Sequence, residues 1–540
     1  MTLTVKRCGK YGIKVYFYMT EPLGLDQDSS FWQRYPDVRG TYHKSHKMYA
    51  LCTSNEKVKS YLRDGARYLF KNAPGLGGVI LITASEHHSH CWSHGGKNGI
   101  DCPKCGKRSP NEVISEVITL LNSGAKAANP KADVIAWNWS WAGREDDVER
   151  KIIETLPIDV VLMADFERGG KRVTDGFEHM VDEYSLSYIG PSERFMNVAR
   201  LANERGMEIL AKTQIGVTHE IATVPYFPVL PKIAEKYKRL NKLGISGVMA
   251  CWNFGNILSR NTEMANWFSW EPAPESVEKI LHKIAVRDFG TKAANNFVKA
   301  WEIFAKATDH YPFDINFLYK TPINFGAAYP LILEKIDKPM PTTWLLPNEI
   351  KYNTYTKYME DSEFGDRLED FCQVFGAEKV VSCLKNLLVE WKEGLKLIEA
   401  TMKDVPEHLR TNVAKEQAVC GAIYSQFSTL VNFIEFTLNR NCLLQTTASK
   451  SKKEIIGKIG EIAKRELGNS QKLKEYVAIE ETLGFHGEAF GFFYTQEKID
   501  RKIIGLKNIL TEKLPAMNKE VNIIINHKKE INQIISIYSR

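Results

Sequence analysis

The chain has 540 residues, too many for one ordinary core, so two domains are expected. Its composition, 44% hydrophobic and 25% charged, is that of a folded globular protein and excludes a disordered or low-complexity chain. A formal charge of +7 from 72 basic and 65 acidic interspersed residues gives no nucleic-acid footprint, and no apolar run approaches the ~18 residues a membrane span needs. Neither nucleic acid nor a membrane is therefore expected as a partner, and the residues define no oligomeric state.

The opening residues MTLTVKRCGKYG lack the apolar core of a signal peptide and read as the tail of a helix. Ten cysteines, mostly scattered singly, fit reduced thiols and a cytoplasmic location. From there β-type runs at 13–19, 79–83, 133–139, 159–166, 207–214 and 247–254, with a weaker one at 184–190, alternate with amphipathic stretches at 57–70, 113–128, 148–156, 192–205 and 228–243. Repeated β then α calls for a parallel sheet with helical crossovers. The length and the polar strand ends favour an α/β fold of the (β/α)8 TIM-barrel type. Six strands and a weaker seventh fall short of eight, so the barrel is expected to lack its first one or two strands. From about residue 272 helical periodicity takes over, and an all-α domain should follow. The expected division is an N-terminally incomplete barrel over 1–271, a connector with the first helices of the second domain over 272–348, and an α-helical C-terminal domain over 349–540.

The stretch 78–105, GVILITASEHHSHCWSHGGKNGIDCPKC, changes abruptly from apolar strand to polar loop. In parallel α/β folds such a loop faces the ligand, which makes Glu86 the first catalytic candidate. Other strand ends supply Glu21, Ser85, Trp137, Trp139, Asp165, Glu167, Glu183, Tyr184, Glu220, Trp252 and Asn253. Carboxylates among tryptophans suit glycoside hydrolysis: one acid protonates the leaving oxygen, a second carboxylate stabilises or attacks the sugar carbon, and indoles stack on the sugar's apolar face. Glu86 is expected as the general acid, with Asp165, Glu167 or Glu220 as the second catalytic group. Glu21, Ser85, Trp137, Trp139, Glu183, Tyr184, Trp252 and Asn253 are expected to bind a carbohydrate substrate, and catalysis is expected to need no cofactor.

Cys102-Pro-Lys-Cys105 has the spacing of half a zinc site. With Cys91, and with His88, His90, His94 or the distant Cys52 as the fourth ligand, it would hold a structural zinc; the alternative is free thiols or a fortuitous pair. A catalytic zinc is disfavoured because no HExxH pairing is present. Gly75-Leu76-Gly77-Gly78 precedes a strand, which suits a turn and not a phosphate loop.

The strand phrases IKVYFYMTEP, GVILITASE, DVIAWNW and GVMACWNFG resemble the later barrel strands of glycoside hydrolase family 20, the β-N-acetylhexosaminidases. The phrases EYSLSYIGPSER, AKTQIGVTHEIATVPYFPVL and the Cys/His loop are similar to little-characterised bacterial proteins of a family 20-like branch. The resemblance covers about residues 10–270. It implies a glycosidase acting on a β-linked N-acetylhexosamine or related sugar, with Glu86 on the acid position and Trp252-Asn253 closing the pocket. In that family an Asp precedes the acid and orients the substrate's acetamido group; here Ser85 stands there. Either a later carboxylate takes over the orienting role or two protein carboxylates act without it. The alternative is a non-catalytic carbohydrate-binding protein on a degenerate barrel.

Overall fold

The computed structural model describes residues 1–44, 46–84, 88–93, 100–141, 147–182, 184–252, 254, 257–342, 364–489 and 491–523. Six strands, Tyr16–Met19, Gly78–Ile82, Asp133–Trp137, Val161–Asp165, Ile209–Thr213 and Gly247–Ala250, form one parallel sheet in chain order. Each neighbouring pair is parallel and the register is regular, with Tyr18 opposite Ile80, Ile82 opposite Trp137 and Lys212 opposite Asp165. Among the described residues the sheet stays open. The first and sixth strands each have a partner on one side only, and Phe17 and Val248 on them are 38% exposed.

Alternation along the strands sends side chains to two apolar layers. Val79, Leu81, Val134, Ala136, Leu162 and Ala164 face the crossover helices, whereas Ile82, Ile135, Trp137, Val161 and Met163 form a separate cluster on the concave face. The helices are written locally. Asn55 caps Glu56–Asn72 by accepting from the Lys57 N–H at 2.9 Å, and Val58, Leu62, Ala66 and Phe70 form its buried stripe. Ser109 and Glu112 form a capping box on Pro110–Ala128, with Pro110 in the first turn.

Three small antiparallel additions are not evident from periodicity: a sheet of Leu25–Asp26, Arg39–His43 and Met48–Leu51, a hairpin of Gly170–Thr174 with Phe177–Val181, and the pair Phe485–His486 with Gly491–Phe492. The expected run at 184–190 is not a strand. Its serines bind a carboxylate instead, as described below.

The helical half is built from Val277–Phe289, Thr291–Ala307, Ala377–Thr401, Arg410–Gln445, Ser449–Ile479 and Gln496–Asn508. One continuous apolar cluster runs through both halves; Phe227 stacks on Trp391, which stacks on Phe304. Residues 211–230 are buried throughout, and between Thr213 and Leu230 they pass between the halves without regular structure. Such a loop needs internal partners for its polar groups. The helical half supplies several: Asn324 Oδ1 accepts from the Ala222 N–H at 2.6 Å, Gln426 Oε1 from the Thr223 hydroxyl at 2.9 Å, and Thr223 O from the Tyr494 hydroxyl at 3.0 Å. No described helix is long and apolar enough to cross a membrane.

Candidate active site

The concave face becomes polar and aromatic at the carboxyl ends of the strands. Asp165, the last residue of the fourth strand, is 1% exposed and accepts a 2.9 Å hydrogen bond from the Trp137 indole at the end of the third. Its other oxygen, Oδ2, lies 3.6 Å from Arg194 and 3.8 Å from Arg168. Arg194 is itself fixed by Glu149, at 2.7 and 3.1 Å, and by donating to Asn138 O. Trp137 meets Trp252 edge-on at 5.1 Å and Trp139 at 6.1 Å, and Tyr18 meets Trp252 edge-on at 5.1 Å. Trp137 is buried, while Trp139 and Trp252 are half-buried and Tyr18 is exposed. The open part of the aromatic surface is thus Tyr18, Trp139 and Trp252, with Trp137 beneath as its support. The buried Lys212 ammonium lies 4.5 Å from the Tyr184 ring and 5.7 Å from that of Trp137.

The remaining predicted carboxylates have different surroundings. Glu167, fully buried, pairs with the equally buried Lys236 at 2.5 Å and accepts from the Thr213 hydroxyl and the Gln214 N–H. Glu220, also fully buried, accepts from the hydroxyls of Ser185 and Ser187 and from the N–H groups of Leu186 and Ser187. Both carboxylates brace the loops beside the sheet. Glu21 sits at the margin beyond the first strand, where it accepts from the Tyr61 hydroxyl at 3.0 Å. Tyr61 is raised to about 12, by burial first and by Glu21 next. Ser85, Glu86, Glu183 and Asn253 lie outside the described residues.

Tyr184 leads to a second layer. Its ring meets His219 at 4.8 Å, and Glu488 of the helical half approaches His219 Nε2 at 3.1 Å. His486 also packs on His219, and burial pushes its imidazole down to about 3. Arg194, Tyr18 and Lys212 are absent from the expected site residues. Tyr18 and Lys212 are legible as polar groups at strand ends, but Arg194 lies on a helix and carries no motif.

Among the Cys/His residues, Cys52, Cys91, Cys102 and Cys105 are brought together and His88 and His90 are not. The four sulfurs lie within 4.8 Å of one another, and all four residues are buried. His90 has both ring nitrogens engaged, Nε2 with Thr83 O and Nδ1 with the Trp92 N–H. His88 Nε2 is bonded to Thr41 O at 3.1 Å. His94 lies outside the described residues.

No protein-family model and no curated protein matches the chain. Solved structures do. A GH138 enzyme targeting pectin rhamnogalacturonan II matches at a TM-score of 0.53 and 10% identity, over 97% of this chain and 58% of that one. This likeness is one of fold. A family 89 glycoside hydrolase from Clostridium perfringens matches at 0.49 and 13% identity, over 96% of this chain and 52% of that one. A GH115 4-O-methyl-alpha-glucuronidase matches at 0.40 and 12%, over 91% and 53%. The chain therefore spans little more than half the length of these proteins, all of them glycoside hydrolases, and none is of family 20.

Proposed function

We propose that the chain is a glycoside hydrolase whose sugar site lies at the carboxyl ends of the parallel strands, the end at which a (β/α)8 barrel would carry its active site. The observation that carries this reading is the juxtaposition of a buried carboxylate, Asp165, with an aromatic surface that opens at Tyr18, Trp139 and Trp252. A carboxylate to meet positive charge at the sugar carbon and rings to stack on the sugar's apolar face are two of the things the reaction asks of a protein, and a proton donor is the third. Glu86 is assigned the proton donor because it follows the Gly78–Ile82 strand by four residues in the sequence. Asp165 is assigned the second carboxylate, in preference to Glu167, whose Oε1 is locked to Lys236, and to Glu220, both of whose oxygens hold internal partners. Arg194, Arg168 and the Trp137 indole are positioning residues for Asp165. The fold likeness to a glycoside hydrolase supports the class of reaction, and the sequence resemblance makes a β-linked N-acetylhexosamine the first substrate to try.

The test is a hydrolysis screen over aryl N-acetylglucosaminide, N-acetylgalactosaminide, glucoside and galactoside. Glu86→Gln and Asp165→Asn should each lower turnover by at least ~10²-fold while leaving folding intact. Turnover confined to the N-acetyl sugars would mean that a group other than Ser85 orients the acetamide, whereas turnover of plain glycosides would mean two protein carboxylates. Activity unchanged in both variants sinks the assignment. A carbohydrate-binding role without turnover is the second reading, favoured by the internal pairing of Glu167 and Glu220; sugar binding with no hydrolysis of any substrate would establish it.

A further inference from the structure

We infer that Cys52, Cys91, Cys102 and Cys105 bind one structural zinc ion as a tetrathiolate. The sulfurs of Cys52 and Cys105 are 3.6 Å apart, and so are those of Cys52 and Cys102. A disulfide needs about 2.05 Å between sulfurs, and all four thiols are free. A tetrahedron with metal–sulfur bonds of about 2.3 Å has edges of about 3.8 Å, so these spacings are those of ligands around one metal. An all-sulfur tetrahedral set selects zinc or iron over calcium, magnesium or manganese, and zinc is the common occupant of closed sites made of four cysteines.

The surroundings are also those of a metal site. Cys102-Pro-Lys-Cys105 turns back on itself, with Cys102 O accepting from the Gly106 N–H at 2.8 Å and Cys102 Sγ lying 3.5 Å from the Cys105 backbone nitrogen. Cys91 Sγ accepts from the Thr41 N–H at 3.3 Å. Ser54 Oγ lies 3.2 Å from Cys105 Sγ and accepts from Arg108 at 3.1 Å, which brings a guanidinium close to a centre of net negative charge. A Cβ on Gly40 would stand 2.6 Å from Cys91 Sγ, so glycine there keeps the cage open for that sulfur.

The four ligands come from three separate pieces of chain. Cys52 follows the Met48–Leu51 strand, Cys91 belongs to the loop after Gly78–Ile82, and the knuckle precedes the Pro110–Ala128 helix. One ion therefore ties both ends of the long loop after the second sheet strand to the small antiparallel sheet. It anchors position 91, five residues beyond Glu86 in the sequence. The metal inference stands apart from the assignment of Glu86, because its readout is metal content and not activity.

The experiment is elemental analysis of the full chain, purified under reducing conditions and reconstituted with zinc, then dialysed against EDTA. One zinc per chain is expected, released by a thiol-specific mercurial and lost in Cys52→Ser and in Cys102→Ser. If those variants fail to fold, cobalt substitution of the wild type supplies the second readout, and intense visible bands of a tetrahedral all-sulfur site are expected. Absence of stoichiometric zinc after reconstitution overturns the inference. So do stoichiometric iron in its place, zinc retained by Cys52→Ser but lost by His88→Asn, or a cobalt spectrum with nitrogen ligands.

Discussion

Asp165 and Glu167 are two residues apart in the sequence and have opposite assignments, which follow from their neighbours. Asp165 has one oxygen held by an indole and the other facing two guanidinium groups beyond hydrogen-bond reach. Glu167 is locked to Lys236, with both side chains fully buried. Removing one member of such a pair leaves a charge without compensation, so Lys236→Met should cost ~3–5 kcal/mol in urea unfolding. The double variant Lys236→Met/Glu167→Gln should recover part of that loss, and additive losses would contradict a coupled pair. Trp137→Phe tests the other carboxylate. It keeps an aromatic ring and removes the donor, so about 1–3 kcal/mol of stability should go with the buried oxygen left unpaired. In the proposed reading its kcat should fall more than its KM rises, because sugar contact belongs to Trp139 and Trp252; the reverse split would make Trp137 part of the platform.

The hairpin Gly170–Thr174/Phe177–Val181 turns through Asp175 and Gly176, both with positive φ, 46° and 82°. Asp-Gly is the expected pair for such a turn. Its tip docks on the helical half: Asp175 Oδ1 meets His310 Nδ1 at 2.6 Å, Asp175 O accepts from Lys379 and Asp175 Oδ2 from Asn386. Gly176→Val should cost about 1–2 kcal/mol for the left-handed backbone alone, read as a lower urea midpoint; no loss would mean that the turn tolerates a side chain. Only the Asp-Gly turn of this hairpin is written in the sequence; periodicity favours its neighbour 184–190 as the strand. Ser185 and Ser187 carry a strand-like period there because both meet Glu220. The six sheet strands are legible because each is a short apolar run ahead of polar residues. The Trp137–Asp165 contact is not, since it depends on the register between strands. Cys52 is legible as a ligand type only; its approach to Cys105 follows from the Arg39–His43/Met48–Leu51 pairing, which returns the chain to the loop.

At the scale of the whole molecule the two halves share one core and several buried polar contacts. Glu416 on the long Arg410–Gln445 helix accepts from Tyr226 and from Trp301 and pairs with Arg260 at 2.6 Å. A molecule so joined should lose both halves together as pH falls, and buried histidines set the window: burial lowers His88 to about 4, and two more lie where the halves meet. His179 is lowered to about 4, by burial first and by Arg172 next, and His486 to about 3, by burial first and by His219 next, with Glu488 opposing. Both are neutral in the folded state at neutral pH, and in the unfolded chain both take up protons near about 6.5. The unfolded state therefore binds more protons below that value, and stability falls as pH drops from about 6.5 towards 4 and then 3. Carboxylates that lose their partners add to the decline mainly below about pH 4, so the upper part of the window isolates the histidines. Urea midpoints measured from about pH 7 to about 4.5 should decline in the wild type and decline less steeply in His179→Gln and His486→Gln, whatever each variant costs at neutral pH. Unchanged slopes in both variants would mean that these imidazoles reach solvent in the folded protein, and that the junction near the hairpin and the candidate site is looser than the packing of His179 and His486 implies.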